Sequence, residues 1–362
     1  MAERIVVGMS GGVDSSVAAA LLVEDGYDVV CVTLRVWPWK ESGDARERFG
    51  SCCSAETVDD ARSVARLLGI PYYLLNREEE FAREVIDRFV SEYRDGRTPV
   101  PCVACNRNLK FGSLIRRAAA WDAVAVATGH YARISHDAAT GRRQLWKGVD
   151  PRKDQSDFLW PLTQAQLAAA RFPVGHLTKD EVRAHARRLG LATAEKPESQ
   201  EICFIPDDDY RGFLRKRDSN VFRPGRIVDG QGRVRGQHGG IANFTIGQRR
   251  GLGLNGDDAR YVVDLDAATD TVTVGTLDDL SRDRLVATDV NFIDGEAPAG
   301  PLRVHARIRH SHVPAAATVQ AGEGRTATVI FDDPQRAITP GQSVVWYDGD
   351  RVVGGGVIAR PR

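Results

Sequence analysis

The segment Gly8-Met9-Ser10-Gly11-Gly12-Val13-Asp14-Ser15-Ser16 follows a short apolar run, Ile5-Val6-Val7, and opens a stretch with helical spacing of apolar residues. Its adjacent glycines allow a tight turn that leaves backbone N–H groups exposed. The N-terminus of the following helix adds partial positive charge, and the serine hydroxyls add hydrogen-bond donors. This strand–loop–helix therefore predicts an anion site suited to pyrophosphate. It is not a Walker A loop, because no Lys-Ser or Lys-Thr pair follows the glycines.

Strand and helix patterns alternate through roughly the first two hundred residues. Apolar runs predict strands at residues 5–8, 28–34, 72–75 and 123–128. Helical spacing predicts helices at residues 15–24, 58–68 and 81–93. Because strands alternate with helices, we expect an α/β fold with a parallel sheet.

The sequence pattern changes after Cys203, from alternating strands and helices to short strands separated by turns. Turn signals such as Asp229-Gly230 and Asp294-Gly295 become frequent between short alternating runs. These runs predict strands at residues 271–274, 304–308, 326–331 and 343–347. We therefore predict three domains, which cover residues 1–210, 211–285 and 286–362. The second is small, and the third is β-barrel-like.

Charge separates within the second half of the chain although the formal net charge is +0. Residues 211–250 contain ten Lys or Arg and two Asp, whereas residues 251–300 contain three Arg and eleven Asp or Glu. One interpretation is an ordinary solvated surface. The other is a basic face for phosphates beside an acidic face.

Neither membrane association nor a disulfide scaffold is indicated. No apolar run approaches the roughly 18–20 residues of a membrane span. Met1-Ala2-Glu3-Arg4 leads directly into the first apolar run, so we expect no signal peptide and a cytoplasmic protein. Six cysteines in 362 residues are too sparse for a disulfide framework, and their clustering favours metal binding or catalysis.

The loop at residues 8–16 resembles the pyrophosphatase-type loop (PP-loop) of enzymes that release AMP and pyrophosphate from ATP. The resemblance implies an adenine-nucleotide-hydrolase-like domain that binds ATP and Mg²⁺ and makes a carbonyl oxygen a leaving group by adenylating it. It says little about the acceptor of the adenylyl group. Asp14 could hold Mg²⁺ or cap the helix, and the sequence leaves both open.

Further blocks extend the resemblance over nearly the full length. They are Ser51-Cys52-Cys53-Ser54-Ala55-Glu56, Pro101-Cys102-Val103-Ala104-Cys105-Asn106, Thr128-Gly129-His130-Tyr131-Ala132-Arg133, Lys153-Asp154-Gln155-Ser156, Glu198-Ser199-Gln200-Glu201-Ile202-Cys203-Phe204 and Pro340-Gly341-Gln342-Ser343. In this order they resemble the tRNA-specific 2-thiouridylases, the MnmA family. The resemblance implies that ATP adenylates O2 of the wobble uridine in the anticodon arm of a tRNA and that sulfur then displaces AMP.

Site residues follow from the same resemblance by position. It makes Cys105 the nucleophile and Cys203 the persulfide carrier, loaded by a donor such as a cysteine desulfurase or a sulfur relay protein. The implied ATP contacts are Gly8, Met9, Ser10, Gly11, Gly12, Val13, Asp14, Ser15, Leu34 and Gly129. The implied contacts to the target base and tRNA are Val100, Pro101, Cys102, His130, Lys153, Asp154, Gln155, Arg309, His310 and Gln342.

One departure from the family pattern concerns Cys102, where many members have Asp. Cys102, Cys105 and Cys203 offer three thiolates, which could hold a [4Fe–4S] cluster with one open iron site for sulfide. The competing interpretation is the relay through Cys105 and Cys203, with Cys102 as a spare or resolving thiol. The sequence does not separate the two.

Two other function classes compete with sulfur transfer. The first is another PP-loop adenylating tRNA-modifying ligase or amidating synthetase, which needs no paired cysteines. The second is a non-catalytic RNA-binding module, which would rest on the basic stretch at residues 211–250. The complete phosphate loop argues against a pure binder.

Overall fold

The computed structural model describes residues 2–37, 55–197, 202–205, 208–254 and 260–360. The N-terminal region contains β1 (Arg4–Gly8), β2 (Asp28–Arg35), β3 (Tyr72–Asn76), β4 (Ala125–Thr128), β5 (Ala132–Asp137), β6 (Arg142–Lys147) and β7 (Ala170–Arg171). Its α-helices are α1 (Val13–Glu24), α2 (Ala55–Leu67), α3 (Glu78–Phe81), α4 (Asp87–Arg94), α5 (Pro101–Ala104), α6 (Leu114–Ala119), α7 (Gln164–Ala168) and α8 (Lys179–Arg188).

Five parallel strands form the first sheet, in the order β3-β2-β1-β4-β7. The central strand β1 is fully buried at Ile5, Val6 and Val7, as expected of a parallel strand covered by helices on both faces. Helix α1 is buried around most of its circumference, because it packs between the sheet and α8. The predicted α/β fold is confirmed.

Two helices of this region contain π-helical turns. Residues Ala82–Ile86 join α3 to α4, and residues Cys105–Ser113 join α5 to α6. The first of these helices was predicted at residues 81–93, whereas no helix was predicted over residues 101–119. We refer to the second, from α5 through α6, as the cysteine helix. Such turns are frequent at functional sites, and Cys105 is the first residue of this one.

A second, smaller sheet follows α9 (Tyr210–Arg217). Its strands are β8 (Gly225–Asp229), β9 (Val234–His238), β10 (Tyr261–Asp266) and β11 (Thr271–Gly275), in the order β10-β11-β8-β9. Buried Ile227, Val262, Val272 and Val274 alternate with partly or fully exposed positions, as in a sheet with one face on a core.

The last region is a closed antiparallel barrel. Its strands are β12 (Ser281–Phe292), β13 (Leu302–Arg307), β14 (Ala315–Ala321), β15 (Ala327–Arg336), β16 (Ser343–Asp348) and β17 (Arg351–Ile358). They pair in the order β12-β15-β14-β13-β16-β17, and β12 pairs with β17 to close the ring. The predicted boundary between residues 285 and 286 falls within β12.

The barrel and the N-terminal region share one continuous sheet. The hairpin β5–β6 joins the barrel where Leu145 of β6 pairs with Val352 of β17. Trp160 is buried, and its indole N–H donates to Ser343 Oγ at 3.1 Å. The N-terminal region is therefore attached to the barrel by backbone pairing as well as by side-chain packing.

The charged stretches partly neutralise each other. Arg223 pairs with Asp270 at 3.1 Å, and Arg360 at the end of the chain pairs with Asp264 at 3.1 Å. Arg249 and Arg250 remain exposed in the basic stretch. In the part of the chain that the structure describes, no helix is long and apolar enough to span a membrane.

Candidate active site

The phosphate loop lies at the carboxyl edge of β1 and opens α1. Ser15 Oγ accepts a hydrogen bond from the Ser10 backbone N–H at 3.2 Å and donates to the Gly12 carbonyl at 3.1 Å. Thr33 Oγ1 donates to the Met9 carbonyl at 3.0 Å, which ties the loop to β2. The loop is thereby held in a compact turn at a helix N-terminus, the arrangement that binds anions.

Two glycines permit close packing around this loop. Gly11 has φ +70°, and a Cβ there would lie 2.2 Å from the Thr57 carbonyl oxygen of α2. Gly129 follows β4, and its Cβ would lie 2.5 Å from the Ser15 backbone nitrogen. Only glycine fits at either position without displacing the loop. Gly129 therefore packs directly against the start of α1, beside the predicted anion site.

Asp14 forms an ion pair beside the loop. Its Oδ1 accepts from Lys179 Nζ and from Tyr131 Oη, each at 2.7 Å. Lys179 is 5% exposed and is the first residue of α8. Asp14 therefore does not act as a helix cap, and a buried ammonium group stands next to the predicted phosphate site. Neither Lys179 nor the Tyr131 hydroxyl is among the site residues that the sequence predicts.

The sequence carried one signal for Lys179. Thr178 and Glu181 form a capping box, in which Thr178 Oγ1 accepts from the Glu181 N–H and Glu181 accepts from the Thr178 N–H. The pattern Thr178-Lys179-Asp180-Glu181 marks a helix start at which Lys179 occupies the first turn. What the pattern cannot reveal is that α8 packs against α1.

Cys105 and Cys203 pack against the same apolar cluster. The cluster includes buried Phe81, Phe89 and Leu109, with both cysteines partly exposed on it. The two cysteines are distant in the sequence, and the tertiary fold brings their surroundings together.

Phe204 anchors the segment that carries Cys203. Its ring contacts those of Phe81 at 5.6 Å, Phe89 at 5.3 Å and Phe213 at 5.2 Å between centroids. Phe204 is 4% exposed, so burial of its ring fixes the adjacent cysteine on the surface of the cluster.

Leu34 connects the cysteine cluster to the nucleotide side of the sheet. It lies in β2 next to β1, and it packs against both the cysteine cluster and the core beneath the sheet that contains Val6, Val32 and Leu114. The predicted ATP contact and the predicted sulfur-transfer residues thus share one packing unit.

The described cysteines do not form a metal centre. Cys102 is exposed, whereas Cys105 and Cys203 are partly buried on the apolar cluster. Within the described ranges, no group of three or more His, Cys, Asp or Glu side chains could hold a metal ion. The residues present therefore do not fit the [4Fe–4S] cluster. Cys52 and Cys53 lie outside the described residues.

The chain just before the cysteine helix is bound to the barrel. Thr98 N–H donates to the Pro340 carbonyl at 2.8 Å, and Gln342 Nε2 donates to the Thr98 carbonyl at 2.8 Å. Val100 and Pro101, the predicted neighbours of the target base, follow Thr98 and Pro99 as the N-cap and the first residue of the helix. Gln342 is thus close to this segment, although its amide group is used in an intramolecular contact.

The residues near β5 that are predicted to contact tRNA are buried or only partly exposed. His130 is 8% exposed, hydrogen-bonds through Nδ1 with Thr128 Oγ1 at 2.7 Å, and has its pKa lowered well below 6.5 by burial and Lys110. Asp154 is 4% exposed and accepts from the Ser156 N–H at 3.1 Å. Gln155 and Lys153 are partly exposed.

Arg309 and His310 lie on the barrel surface after β13. His310 Nδ1 donates to Asp157 Oδ2 at 2.9 Å, and its ring lies 5.0 Å from that of Phe158. The hydrogen bond to the Asp157 carboxylate raises the pKa of His310. Arg309 is exposed and donates to the Arg336 carbonyl at 3.2 Å. These two side chains lie at the junction between the barrel and the loop that carries Asp157.

Family models match all three regions of the chain. A tRNA methyl transferase HUP domain matches residues 3–207, a tRNA methyl transferase PRC-barrel domain matches residues 211–276, and an aminomethyltransferase β-barrel domain matches residues 282–358. The tRNA-specific 2-thiouridylase MnmA of Heliobacterium modesticaldum is 50% identical over 99% of this chain and 93% of its own length. This chain belongs to the MnmA family. MnmA of Clostridioides difficile is 46% identical over 99% of both chains.

The MnmA architecture accounts for the order of the three regions. The parallel sheet carries the phosphate loop, the central PRC-barrel region follows, and the closed β-barrel comes last. A solved 4-thiouridine synthetase in complex with RNA and ATP is similar with a TM-score of 0.36 and 17% identity, over 60% of this chain and 50% of that one.

We expect Gly129→Ala to weaken the binding of magnesium pyrophosphate by about tenfold or more, because the added methyl group must push the loop away from Ser15. Isothermal titration calorimetry measures this affinity. Gly300→Ala is the matched control, since nothing lies within 4 Å of a Cβ at Gly300. Equal affinities for the two variants would contradict the placement of Gly129 beside the anion site.

We expect His310 to give the fold a stabilisation that depends on pH. Because Asp157 raises the pKa of His310, its stabilisation is complete below the unfolded pKa of about 6.5 and is lost as pH rises through the folded pKa. The difference in free energy of unfolding between wild type and His310→Gln should therefore shrink with rising pH. Urea unfolding at a series of pH values measures it, and a constant difference would argue against the ionic pair.

Proposed function

We propose that this enzyme uses ATP to replace O2 of the wobble uridine in tRNA by sulfur. The proposal rests mainly on the packing of Cys105 and Cys203 against one apolar cluster. Leu34 connects this cluster to the sheet that carries the phosphate loop. Full-length similarity to MnmA relatives supports the same reaction. In this proposal, residues 1–210 perform the chemistry, while residues 211–285 and 286–362 bind the tRNA.

The first step is adenylation of the uracil. Its O2 attacks the α-phosphorus of ATP, the bond from that phosphorus to the bridging oxygen breaks, and pyrophosphate leaves. The loop N–H groups and the N-terminus of α1 hold the phosphates, and Lys179 supplies a fixed positive charge beside them. These charges favour the step because negative charge accumulates on the departing pyrophosphate.

Mg²⁺ fits next to Asp14. Both hydrogen bonds to this carboxylate end on Oδ1, so Oδ2 is the oxygen that a hard cation would take. When bound, Mg²⁺ would neutralise charge on the phosphates. Tyr131 and Lys179 hold the carboxylate in place for that role.

The second step transfers sulfur. The terminal sulfur of a persulfide on Cys203 attacks C2 of the activated uracil, and the C2–O bond breaks as AMP leaves. The Cys105 thiolate then attacks Cys203 Sγ, the original persulfide S–S bond breaks, and 2-thiouridine is released with its proton balance met by solvent. A disulfide joins the two cysteines, and an external thiol reduces it before the next turnover.

We prefer the persulfide relay to an iron–sulfur cluster. The relay needs only Cys105 and Cys203, which pack against the same apolar residues. The three cysteines of the cluster hypothesis do not form a metal-binding group within the described residues. A cysteine desulfurase or sulfur relay protein is the proposed donor to Cys203, and the reaction is proposed to take place in the cytoplasm. The exposed Arg309 and His310 of the barrel are proposed to contact the anticodon arm.

We expect Lys179→Met to slow tRNA-dependent release of AMP by about a hundredfold, because it removes a positive charge from the site of pyrophosphate departure. Lys179→Arg should restore part of the rate. The control Arg187→Gln removes a positive charge from the same helix, where Arg187 is exposed and paired with Glu195. Single-turnover kinetics with radiolabelled ATP separates this effect from tRNA affinity. An unchanged rate in Lys179→Met would exclude the proposed role.

We expect Cys105→Ser and Cys203→Ser each to abolish 2-thiouridine formation while adenylation continues, because only the sulfur step uses a thiolate. Mass spectrometry of tRNA nucleosides measures the product. The control Cys31→Ala should retain activity, since burial raises the pKa of the Cys31 thiol to about 12 and leaves it inert.

The activity of the Cys102→Ser variant distinguishes the persulfide relay from the iron–sulfur cluster. The relay predicts that this variant stays active and that the wild type thiolates fully without iron. Loss of activity in Cys102→Ser together with stoichiometric iron in anaerobically purified protein would overturn the relay. Continued turnover of an amine or ammonia substrate in Cys105→Ser would instead identify a ligase.

A further inference from the structure

A cleft separates helix α4 and the cysteine helix from the wall of the barrel. The cysteine helix and the chain before it contribute Val100, Pro101, Ala104 and Arg107, and the barrel contributes residues such as Asp289. Neither Cys105 nor Cys203 lines this cleft, so it is a separate feature from the cysteine cluster. It nevertheless adjoins the segment that the family pattern places beside the target base.

Arg107 carries an excess positive charge into the cleft. It is partly buried, and none of the ion pairs in the described part of the chain includes it. Burial is the main cause that lowers the pKa of Arg107, and repulsion from Arg325 and Arg88 lowers it further, whereas the Asp289 carboxylate acts in the opposite direction. A half-desolvated guanidinium group that is repelled by two others would be stabilised by a further anion.

The carboxylates that line the cleft are already ion-paired with other arginines. Arg88 forms ion pairs with Asp289 at 3.4 Å and with Glu92 at 3.8 Å. Arg97 forms an ion pair with Glu92 at 2.6 Å. Arg88 and Arg107 line the cleft together with Glu92 and Asp289, and both of these carboxylates are ion-paired with Arg88 or Arg97 rather than with Arg107.

Arg325 is bound to the backbone of a β-bulge that contains Asp289, one of the residues lining the cleft. Its Nε donates to the Val290 carbonyl at 3.1 Å, and its Nη2 donates to the Asp289 carbonyl at 3.2 Å. The register of β12 shifts at this point, and Asp289 has φ +53°. These hydrogen bonds end on carbonyl groups rather than on a carboxylate, so they do not offset the positive charge of Arg325, which repels Arg107.

We propose that Arg107 and Arg325, with Arg88 at the rim, bind one phosphate of the tRNA backbone beside the extruded uridine. Planar guanidinium groups match the oxygens of a phosphate and stay charged when partly buried. Apolar Val100 and Val357 line the same cleft and provide a surface for the attached ribose. The inference rests on the proposed function, since it assumes that tRNA is the substrate.

The test measures how the affinity for an anticodon stem-loop RNA depends on salt. Wild type, Arg107→Gln and Arg325→Gln are compared as full-length proteins by fluorescence anisotropy. We expect each substitution to weaken binding by about tenfold at low salt. The double substitution should reduce the slope of log affinity against log salt by about 0.7–0.9, which is the contribution of one phosphate, because each single variant keeps one arginine on that phosphate.

Arg188→Gln is the matched control. Arg188 lies in the last turn of α8, where it pairs with Glu24 at 2.7 Å and takes no part in the cleft. The Arg188→Gln substitution removes the same charge as Arg107→Gln but lies outside the cleft. Its RNA affinity and its salt slope should therefore equal those of the wild type. Circular dichroism melting checks that all variants are folded. If Arg107→Gln and Arg188→Gln behave alike while the wild type binds and thiolates tRNA, the phosphate site is wrong and the proposed function stands.

A second arm locates the phosphate on the RNA. Stem-loops with a single uncharged methylphosphonate linkage are placed in turn at each position around the wobble uridine. One linkage should weaken wild-type binding by about tenfold and leave Arg107→Gln unaffected. If no linkage discriminates the two proteins and Arg107→Gln instead changes inhibition by inorganic pyrophosphate, the arginines bind a nucleotide phosphate, and the RNA assignment is overturned. If the wild type neither binds nor thiolates tRNA, the proposed function fails first.

Discussion

The backbone of Thr98 is held between the barrel and the N-terminal region, and the positions of the site residues depend on that attachment. Its N–H and carbonyl groups are both bonded to the turn at residues 340–342, at 2.8 Å each. Because Pro101 starts the cysteine helix directly afterwards, these bonds fix where Cys105 and Arg107 lie. Backbone hydrogen bonds suit this purpose, since an unpaired buried N–H or carbonyl group is costly.

Apolar packing then connects the two halves of the chemistry. The rings of Phe81, Phe89, Phe204 and Phe213 form edge and tilted contacts that hold the Cys203 segment against α3 and α4. Leu34 extends this unit to the sheet that carries the phosphate loop. The nucleotide site and the thiol site are thus parts of one packed body, while charged groups such as Lys179 and Arg107 are positioned at its edges.

Motifs in the sequence were strong predictors of the local structure. The loop at residues 8–16 was placed correctly between a strand and a helix, because its glycines and the flanking apolar periodicities are local signals. The cysteine helix was missed over residues 101–119, since Pro99, Pro101 and Gly112 obscure a helical pattern that includes a π-helical turn. The pairing of β6 with β17 was also missed, because no local signal records a contact between strands so distant in the chain.

The sequence by itself determined the class of the fold, the phosphate loop and the family, since periodicity, glycine placement and motif order are properties of short segments. Tertiary structure alone decided that Lys179 meets Asp14, that Cys105 and Cys203 share one cluster, and that Arg107 forms none of the ion pairs in the described part of the chain. These are relations between surfaces of different elements. They depend on how helices and sheets pack, which the order of residues along any one element does not specify.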